Sequence, residues 1–300
     1  MGAVRFAVAS RAQKTAEAFA TQHGFGRAHG SYAALMADRE VDIVYVATPN
    51  GLHKEYILAA LAAGKYVLCE KPLTLSVADS AACFDAARAA GRFLMETHWT
   101  AVFPAMQKAA EIVHSGKIGT PRHLTAHFVA RRSSETHPIL FDPTLGGGAR
   151  NDLGIYPVGA ALLLAGPVLR HSAQSVIGPT GVDEMTAITM EHENGALSLL
   201  SCGFRAEMPV AHCIGERGLV EIPESFYHPD RVILETVGAR EVFDLPYLGN
   251  GYAHEAIAFQ AALQAETPAP LWPECAVLAA AEILTAEIVT AGGGLSEWRL

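Results

Sequence analysis

The first third of the chain alternates short apolar runs with longer segments of helical pattern, and this alternation constrains the fold more than any other feature. The expected strands are residues 4–9, 27–29, 42–48, 66–70 and 93–97. The expected helices between them are residues 13–22, 32–37, 53–63 and 77–90. Strands that are apolar on both faces and separated by helices indicate a parallel sheet covered on both sides. The sequence therefore predicts a doubly wound α/β domain of the Rossmann type over residues 1–98.

After residue 98 the pattern changes to strand and turn. The expected helices of this part are residues 103–115, 253–265 and 275–291, and the expected strands are residues 121–130 and much of 173–245. The clearest hairpin joins residues 186–193 to 196–202 through Asn194-Gly195, a pair typical of a type I′ turn. We therefore predict that residues 99–300 form an α+β domain with a mostly antiparallel sheet.

Charge and composition argue against several classes of function. The 300-residue chain has 22 Lys and Arg against 31 Asp and Glu, a formal net charge of −9. A negative chain without a basic run favours neither nucleic acid nor an anionic membrane surface as a partner. The longest uncharged apolar stretch, residues 153–169, is shorter than the ~18 to 20 residues of a membrane span and contains Pro157 and Pro167. We expect a buried helix there.

The sequence shows neither a secretory signal nor a metal-binding motif. The segment MGAVRFAVASR lacks the apolar core and the cleavage site of a secretory signal, so we expect a cytoplasmic protein. The five cysteines include no C-x-x-C pair and the thirteen histidines no H-E-x-x-H. Reduced thiols and no bound metal are therefore expected.

Polar residues follow four of the predicted strands, at the edge of a parallel sheet where ligands bind. They are Ser10 and Arg11, then Thr48, Pro49 and Asn50, then Glu70, Lys71 and Pro72, and last His98 and Trp99. A hydroxyl and a guanidinium after the first strand suit the 2′-phosphate of NADP, whereas an acidic residue would hold the free 2′-hydroxyl of NAD.

Each of these groups also has a plainer interpretation when it is considered alone. Ser10 and Arg11 are compatible with an ordinary helix start. The Glu-Lys-Pro triplet is compatible with a turn that ends a strand, and Trp99 with packing. The functional interpretation therefore depends on their joint occurrence.

Three longer motifs occur in a fixed order along the chain. They are ATPNGLH at residues 47–53, AGKYVLCEKPL at residues 63–73 and FDPTLGGGARNDLGIYPV at residues 141–158. With these motifs, the sequence resembles the oxidoreductase family of glucose-fructose oxidoreductase, inositol dehydrogenase and rhizopine catabolism (Gfo/Idh/MocA). The resemblance covers nearly the whole chain. The last motif, with Tyr156, is similar to the branch that holds dihydrodiol dehydrogenase and xylose dehydrogenase.

The resemblance implies transfer of a hydride between a nicotinamide and a secondary alcohol or carbonyl of a sugar or related polyol. The implied cofactor is NADP, with NAD as the alternative. Tyr156 would be the acid or base and Lys71 would lie beside the nicotinamide and the substrate hydroxyl, the two converging on a cleft between the two halves. A neighbouring ammonium would lower a Tyr pKa from its ordinary ~10.

Asp152 precedes Tyr156 by four residues, a spacing that places both on one helical face. From there its carboxylate would orient substrate hydroxyls or Lys71. Pro157 weakens this helix argument, because it either kinks the segment or restarts the helix as its first residue. Considered alone, Tyr156 would be a core aromatic residue.

The resemblance also implies which residues contact the cofactor and what each domain does. The implied contacts are Ser10, Arg11, Thr48, Pro49, Asn50, His53, Glu70, Lys71 and Trp99. Residues 1–98 would be the dinucleotide-binding domain, and residues 99–300 the substrate-binding and dimerisation domain. A homodimer or higher oligomer would form through the open face of the second sheet.

The chain departs from the family at its start, where relatives carry a further strand and a G-x-G-x-x-G turn before residue 4. Without that central strand, the strands at residues 4–9 and 42–48 would lie roughly 9.6 Å apart, twice the ~4.8 Å strand spacing. Either the natural chain begins earlier, or the two strands close together and the pyrophosphate site is lost. The second case suggests a non-catalytic pseudoenzyme or a sugar-binding or regulatory protein.

Two residues in the second half also depart from the pattern of this branch. Ala101 and Ile139 stand where the branch commonly carries Arg. They predict a less anionic substrate or a degraded pocket.

Overall fold

The structure is a computed structural model that describes residues 4–223, 225–265 and 270–286. The chain divides into two units. The first contains the residues up to His98 together with Leu248–Leu278, and the second contains Trp99–Tyr247 and the residues from Ala279 onward. Within the described ranges, every helix falls short of the length and apolar character needed to cross a bilayer.

Parallel strands and helices alternate in the first unit. The strands are β1 (Ala7–Ala9), β2 (Arg27–His29), β3 (Ile43–Val46), β4 (Tyr66–Glu70) and β5 (Leu94–Thr97). The helices between them are α1 (Gln13–His23), α2 (Tyr32–Ala37), α3 (His53–Ala62) and α4 (Val77–Ala90). β1 pairs with β2, and β3, β4 and β5 form a three-stranded sheet in that order, with all pairs parallel. The predicted Rossmann-like class of the first half is confirmed.

β1 and β3 belong to separate sheets. Among the described residues, no backbone ladder joins these two strands, so of the two alternatives the one in which they close together does not occur in this structure. β3 is consequently an edge strand, and its side chains alternate between buried Val44 and Val46 and exposed Ile43 and Tyr45. A strand edge of this kind presents unpaired N–H and C=O groups.

Local capping residues determine where α2 and α4 begin and where α4 ends. The Ser31 side chain accepts the N–H of Ala34 at 3.2 Å, and the Ser76 side chain accepts the N–H of Asp79 at 3.1 Å. Gly91 follows α4 at a φ of 59°, a left-handed conformation that glycine adopts without strain. These short-range signals explain why the predicted bounds of α2 and α4 agree with the structure.

An eight-stranded sheet dominates the second unit. The strands are β6 (Pro121–Val129), β7 (Val168–Ile177), β8 (Asp183–His192), β9 (Leu197–Gly203), β10 (Met208–Gly215), β11 (Gly218–Ile222), β12 (Arg231–Thr236) and β13 (Ala239–Asp244). Their order is β13-β12-β11-β10-β6-β9-β8-β7, and each pair is antiparallel except the parallel pair β6 and β9. The predicted mostly antiparallel sheet is confirmed.

Helices cover one face of this sheet. The helices that begin in the second unit are α5 (Trp99–Val102), α6 (Pro104–His114) and α7 (Ile155–Ala165). α6 contacts β11 and β12, and α7 contacts β6, β9 and β10. Along β9, Ser198 and Leu200 are buried, whereas Leu197 and Leu199 alternate with them and are exposed. The face of the sheet opposite these helices therefore carries apolar side chains in contact with solvent.

The hairpin between β8 and β9 forms where the sequence places it, but its turn is not of type I′. The N–H of Gly195 donates to the His192 carbonyl, and the N–H of His192 donates to the Ala196 carbonyl, both at 2.9 Å. Gly195 has a φ of 80°, and Asn194 is not among the positive-φ residues. A type I′ turn needs positive φ at both central residues, so this is a three-residue loop with a glycine bulge. The Asn194 side chain stabilises it by accepting the N–H of Ala196 at 3.0 Å.

One predicted helix is shorter in the structure. The apolar stretch 153–169 contains α7, which ends before Gly166, and Val168 already begins β7. Gly166-Pro167 terminates the helix because proline cannot continue it. The helix predicted at 275–291 is α9 (Glu274–Thr285), and the prediction's residues beyond 286 lie outside the described part of the chain.

The domain prediction needs a correction, because the segment Leu248–Leu278 belongs to the first unit. This segment contains α8 (Tyr252–Gln264) and the first residues of α9. Phe259 of α8 is buried against Leu68 and Met95, and its ring centroid lies 5.4 Å from that of Phe93. The core of the first unit is thus completed by a helix that follows the second unit in sequence.

This packing gives the first prediction. Phe259→Ala should lower the free energy of unfolding by about 3 to 5 kcal/mol, because it leaves a cavity among Leu68, Met95 and Phe93. The change is measured by urea unfolding followed by circular dichroism. Ile257→Ala, an exposed position in the same helix, is the control and should cost less than about 1 kcal/mol. Equal losses for the two variants would contradict the assignment of α8 to this core.

Candidate functional site

The loop after β3 carries the first group of predicted site residues. Thr48, Pro49 and Asn50 are half-buried, and a 3₁₀ turn at Asn50–Leu52 leads directly into α3. The Thr48 hydroxyl is buried and has no hydrogen-bond partner among the described residues. A buried hydroxyl of this kind is a group that a ligand can satisfy.

The loop after β4 carries Glu70, Lys71 and Pro72. The Glu70 carboxylate accepts the phenol of Tyr45, the hydroxyl of Thr97 at 3.2 Å and the N–H of Lys71 at 3.3 Å. Lys71 is half-buried, and its peptide bond to Pro72 is cis. The hydrogen bonds to Glu70 connect the ends of three adjacent strands.

His53 joins the loops that follow β3 and β4. Its side chain is fully buried, with Nε2 2.8 Å from the Thr48 carbonyl oxygen and Nδ1 2.9 Å from the Pro72 carbonyl oxygen. Both ring nitrogens therefore face backbone oxygens inside the protein. His53 thereby holds the two loops together.

Glu96 is a buried carboxyl at the end of β5, behind the Lys71 loop. It is 2% exposed, accepts the N–H of Leu73 and accepts the indole N–H of Trp272 at 2.6 Å. Burial raises its pKa to about 7, although the two N–H donors and the charge of Lys71 act in the opposite direction. Sequence reasoning missed this residue, because its partners lie 23 and 176 positions away.

His98, two residues after Glu96, is buried beside Trp272 with ring centroids 4.3 Å apart. Burial, and to a smaller extent the charge of Lys71, lower the pKa of its imidazole to about 3. His98 is therefore neutral at physiological pH. It contributes an uncharged ring at the carboxyl end of β5.

The residues after β1 are more open. The N–H of Ser10 donates to the His29 carbonyl at 3.1 Å, and Arg11 is exposed at the start of the turn that leads to α1. The acidic residues Asp38 and Glu40 of the same unit pair with Arg27 and not with Arg11. Among the described residues, none forms an ion pair with Arg11, so its guanidinium can reach an anionic ligand.

In the second unit, three glycines precede the segment that carries Asp152 and Tyr156. A Cβ on Gly148 would collide with Oδ1 of Asp183, and the φ of Gly148 is 117°. Asp183 also accepts the N–H of Arg150 at 2.9 Å and the hydroxyl of Thr186 at 2.8 Å. The close approach requires glycine at position 148, and Asp183 holds the start of the next turn.

That turn differs from the predicted helix. Residues Arg150–Gly154 form a π-helical turn, and the α-helix begins only at Ile155. Pro157 stands third in α7, directly after the π-helical turn, and the dihedral angles of Ala149, Gly154 and Ile155 are all helical. The helical backbone therefore continues through this segment, and the helix does not restart with Pro157 as its first residue. Because the wide turn lies between Asp152 and Tyr156, the simple four-residue argument for a common α-helical face does not hold.

Tyr156 lies in an aromatic cluster of the second unit. Its ring centroid is 5.3 Å from that of Phe128, edge to face, and 5.8 Å from that of Tyr227. Tyr227 stacks on Phe128 at 4.1 Å, and Trp99 stands 6.4 Å from Tyr227. Tyr227 was not among the predicted site residues. The aromatic run Phe226-Tyr227-His228 is the feature of the sequence that could have indicated it.

Comparison with known proteins places both parts of the chain in one family. Residues 3–98 match the description "Oxidoreductase family, NAD-binding Rossmann fold", and residues 106–221 match the "GFO/IDH/MocA C-terminal domain". Trans-1,2-dihydrobenzene-1,2-diol dehydrogenase of Mus musculus is 34% identical over 249 residues, which cover 82% of this chain and 73% of that protein. The chain belongs to the Gfo/Idh/MocA oxidoreductase family.

Two further relatives support the family and its branch. D-xylose 1-dehydrogenase (NADP(+)) 2 of Haloferax volcanii is 39% identical over 199 residues, 66% of this chain and 61% of that protein. The solved 3-ketoreductase of Actinomadura kijaniata, in complex with NADP and TDP-benzene, is 30% identical with a TM-score of 0.83. That match covers 93% of this chain and 87% of the other. The predicted family, with its dihydrodiol and xylose dehydrogenase branch, is confirmed.

Glu255 gives the second prediction. This residue of α8 is 3% exposed, and burial together with the charge of Glu70 raises its pKa to about 8. Since a Glu in the unfolded chain titrates near ~4.3, the folded state binds more protons between that value and about pH 8. The contribution of Glu255 to stability therefore falls as pH rises through this window. Glu255→Gln should raise the free energy of unfolding by about 2 to 4 kcal/mol at pH 9 and by less at pH 5.

Urea unfolding at the two pH values measures this difference. The exposed Glu55→Gln in α3 is the control and should change stability equally little at both. A gain for Glu255→Gln that is the same at both pH values would contradict the raised pKa.

Proposed function

We propose that this protein is an NADP-preferring oxidoreductase that transfers a hydride between the nicotinamide and a secondary alcohol or carbonyl of a sugar or related polyol. The observation that carries the proposal is the junction of the Thr48 and Lys71 loops at the carboxyl ends of β3 and β4, joined by His53. Dinucleotides bind at this edge of open parallel sheets. The relatives named dihydrodiol and xylose dehydrogenase support the same chemistry.

The described residues offer suitable groups for parts of the cofactor. Arg11 presents an exposed guanidinium that suits a 2′-phosphate, and Thr48 presents a buried hydroxyl without a partner in the described ranges. The contacts expected at Ser10, Pro49, Asn50, His53, Glu70, Lys71 and Trp99 remain part of the proposal. When bound, NADP would supply the nicotinamide ring that accepts or gives up the hydride.

The chain's own residues would handle the proton and the developing charge. In the oxidative direction, the deprotonated Tyr156 oxygen takes the proton of the substrate hydroxyl, and in the reductive direction the phenol returns it. The Lys71 ammonium stabilises negative charge on the substrate oxygen, and the Asp152 carboxylate orients the substrate's other hydroxyls. These three roles are proposals that the family resemblance supports.

The surroundings of Tyr156 suit a ring-shaped substrate. The stacked Phe128 and Tyr227 offer apolar faces beside the phenol, and such faces complement the C–H surface of a sugar or a cyclic diol. Ala101 is buried and Ile139 is exposed, and neither brings the positive charge that Arg would. We therefore propose a substrate without a phosphate or carboxylate.

The remaining parts of the proposal concern the domains, assembly and location. Residues 1–98 would bind the dinucleotide, and the second unit would bind substrate and form a homodimer or higher oligomer. Leu197 and Leu199 support this assembly because they expose apolar surface on the uncovered face of the sheet. A metal-free, cytoplasmic enzyme completes the proposal.

A second candidate is a non-catalytic sugar-binding or regulatory protein, and the separation of β1 and β3 into two sheets is the observation that leaves it open. A chain that binds sugars but not NADPH would fit this second candidate.

The third prediction concerns Tyr156. Tyr156→Phe should lower kcat by about 100-fold or more and leave the Kd for NADPH within about twofold, because only the proton transfer is lost. Steady-state kinetics with sugar and polyol panels and fluorescence titration of NADPH measure the two quantities. Tyr66→Phe, at a tyrosine under Arg92 with no proposed role, is the matched control. Unchanged turnover in Tyr156→Phe would remove this residue from the mechanism.

The fourth prediction concerns the choice of cofactor. Arg11→Ala should weaken NADPH binding by about 10- to 100-fold and leave NADH binding nearly unchanged, because a charge-assisted bond to the 2′-phosphate is lost. Arg39→Ala, an exposed arginine of the same unit, is the control. Equal weakening of both cofactors would contradict the role of Arg11. Absence of NADPH binding by the unmodified chain would favour the non-catalytic candidate.

A further inference from the structure

The eight-stranded sheet carries three histidines at the centre of its open face, the face opposite α6 and α7. β10 and β6 are the two central strands in the order of this sheet. Leu124 of β6 and Ala211 of β10 are buried towards the helices. His123 and His127 of β6 and His212 of β10 alternate with such buried residues and are half-buried. Their side chains therefore stand on the open face.

The strand register places the three histidines next to one another. In the antiparallel pair of β6 and β10, His212 stands opposite Thr125, so it lies diagonally between His123 and His127. Diagonal neighbours on one face of a sheet are about 7 to 8 Å apart, within reach of long side chains. Nδ1 of His127 also lies 2.8 Å from the Ser201 hydroxyl oxygen of β9. We call His123, His127 and His212 the histidine cluster.

The cluster lies in an apolar centre with charged residues only at the edges of the sheet. One row of cross-strand neighbours passes through His123 and crosses all eight strands. It consists of Arg240, Glu235, Leu219, Ile214, His123, Leu197, Glu191 and Arg170. At its two ends, Arg240 pairs with Glu235 at 2.9 Å and Arg170 pairs with Glu191. An apolar centre inside a polar rim is typical of a protein–protein interface.

Charge and area indicate a second copy of this chain as the partner. The two ion pairs of the rim are neutralised within the chain, so they do not select an oppositely charged partner. Eight strands at ~4.8 Å spacing and about six residues of ~3.4 Å each give a face of roughly 800 Å². One partner contributes about this area to an interface of standard size. Two sheet faces can pack in this way about 10 Å apart.

We propose that the open face pairs with a second copy of this chain and that the histidine cluster makes this pairing dissociate in acid. The proposal rests on the assembly stated under the proposed function and adds the groups that control it. Pairing removes each cluster from water and brings a second cluster from the other copy. Neutral imidazoles tolerate this, whereas imidazolium ions lose solvation and repel one another. The dimer therefore binds fewer protons than two monomers, and acid favours the monomers.

Few other charged groups act on the cluster. On β11, Glu221 stands opposite His212 and favours its imidazolium form, while the rim glutamates of β8 and β12 are already paired with arginines. Burial and the charge of His212 lower the pKa of His127. The cross-strand neighbours of His123 and His127 do not titrate; they are Ile214 and Leu197, and Val210 and Ser201. We therefore expect His123 and His127 to contribute most of the pH dependence.

The first test measures the dimer Kd of the full chain by sedimentation velocity at about pH 8 and about pH 5.5, at equal ionic strength. The Kd should be at least about 100-fold higher at the lower pH, because a histidine with an ordinary pKa of ~6.5 is mostly charged there in the monomer. Circular dichroism at both pH values checks that the chain stays folded. A dimer with the same Kd at both pH values would overturn the proposal.

The second test replaces the whole cluster by uncharged polar side chains. The triple variant His123→Gln, His127→Gln and His212→Gln should keep its Kd within about threefold between the two pH values. The matched control changes three exposed histidines away from the open face and should dissociate in acid like the unmodified chain. It carries His23→Gln, His114→Gln and His137→Gln. Equal dissociation of both triple variants in acid would remove the cluster from the mechanism.

A third variant tests which surface pairs. Leu199→Glu places a carboxylate beside Thr125 at the centre of the open face and should raise the dimer Kd at about pH 8 by about 100-fold or more. Leu248→Glu, at an exposed leucine of the first unit, is the control and should leave the Kd nearly unchanged. A dimer that tolerates Leu199→Glu pairs through another surface.

Proton uptake by the unmodified chain gives the answer if the triple variant does not fold. Calorimetric dilution of the dimer at about pH 6, in two buffers of different ionisation enthalpy, measures the protons bound on dissociation. About two or more protons per dimer are expected, since each copy brings His123 and His127. Dissociation without proton uptake would contradict the proposal.

The outcomes separate this proposal from the proposed chemistry. Turnover by a chain that is monomeric at about pH 8 would overturn the pairing and leave the hydride transfer standing. An acid-labile dimer without turnover would support the pairing and contradict the oxidoreductase activity.

Discussion

Buried backbone polar groups must have hydrogen-bond partners, and the segment after β4 satisfies this requirement with side chains instead of a strand or helix. His53 and Glu96 supply these partners from α3 and β5, and Trp272 satisfies the second oxygen of Glu96. Removing one member would leave a buried polar or charged group unpaired, a loss of about 1 to 3 kcal/mol or more. The position of Lys71 is therefore coupled to the stability of the first unit's core.

This coupling explains why a segment late in the sequence belongs to the first unit. Phe259 covers Leu68 and Met95, and Trp272 donates its indole N–H to Glu96. Both contacts exclude water from the side of the sheet behind the Lys71 loop. Low solvent access strengthens electrostatic interactions there, and it also raises the pKa of Glu96 and of Glu255. Burial therefore accounts both for the tight packing behind the Lys71 loop and for the raised pKa values of Glu96 and Glu255.

The sequence predicted those features that depend on nearby residues. The caps at Ser31, Ser76 and Gly91 act within a few positions, and the bounds of α2 and α4 followed from them. The family and the two fold classes followed from motifs and from the change of pattern near residue 98.

The errors arose where distant contacts or unusual backbone geometry decide the structure. The return of α8 to the first unit depends on Phe259 reaching Leu68 and Met95, which stand 191 and 164 positions earlier in the chain. The π-helical turn at Arg150–Gly154 and the glycine bulge at Gly195 depend on hydrogen bonds that spacing alone does not show. Tyr227 and Glu96 were missed for the same reason, since their neighbours are far away along the chain.

The charges around Lys71 distinguish between two chemical roles for it. A lysine that acts as a base must lose its proton, and burial away from anions or a nearby cation favours that loss. Lys71 lies instead in the field of Glu96 and beside Glu70, and its own charge favours the carboxylate form of Glu96. By reciprocity, that carboxylate favours the ammonium form of Lys71. In the proposed reaction, Lys71 would therefore supply a positive charge for an oxygen anion, and the proton transfer would fall to a group with a removable proton, for which Tyr156 is our candidate.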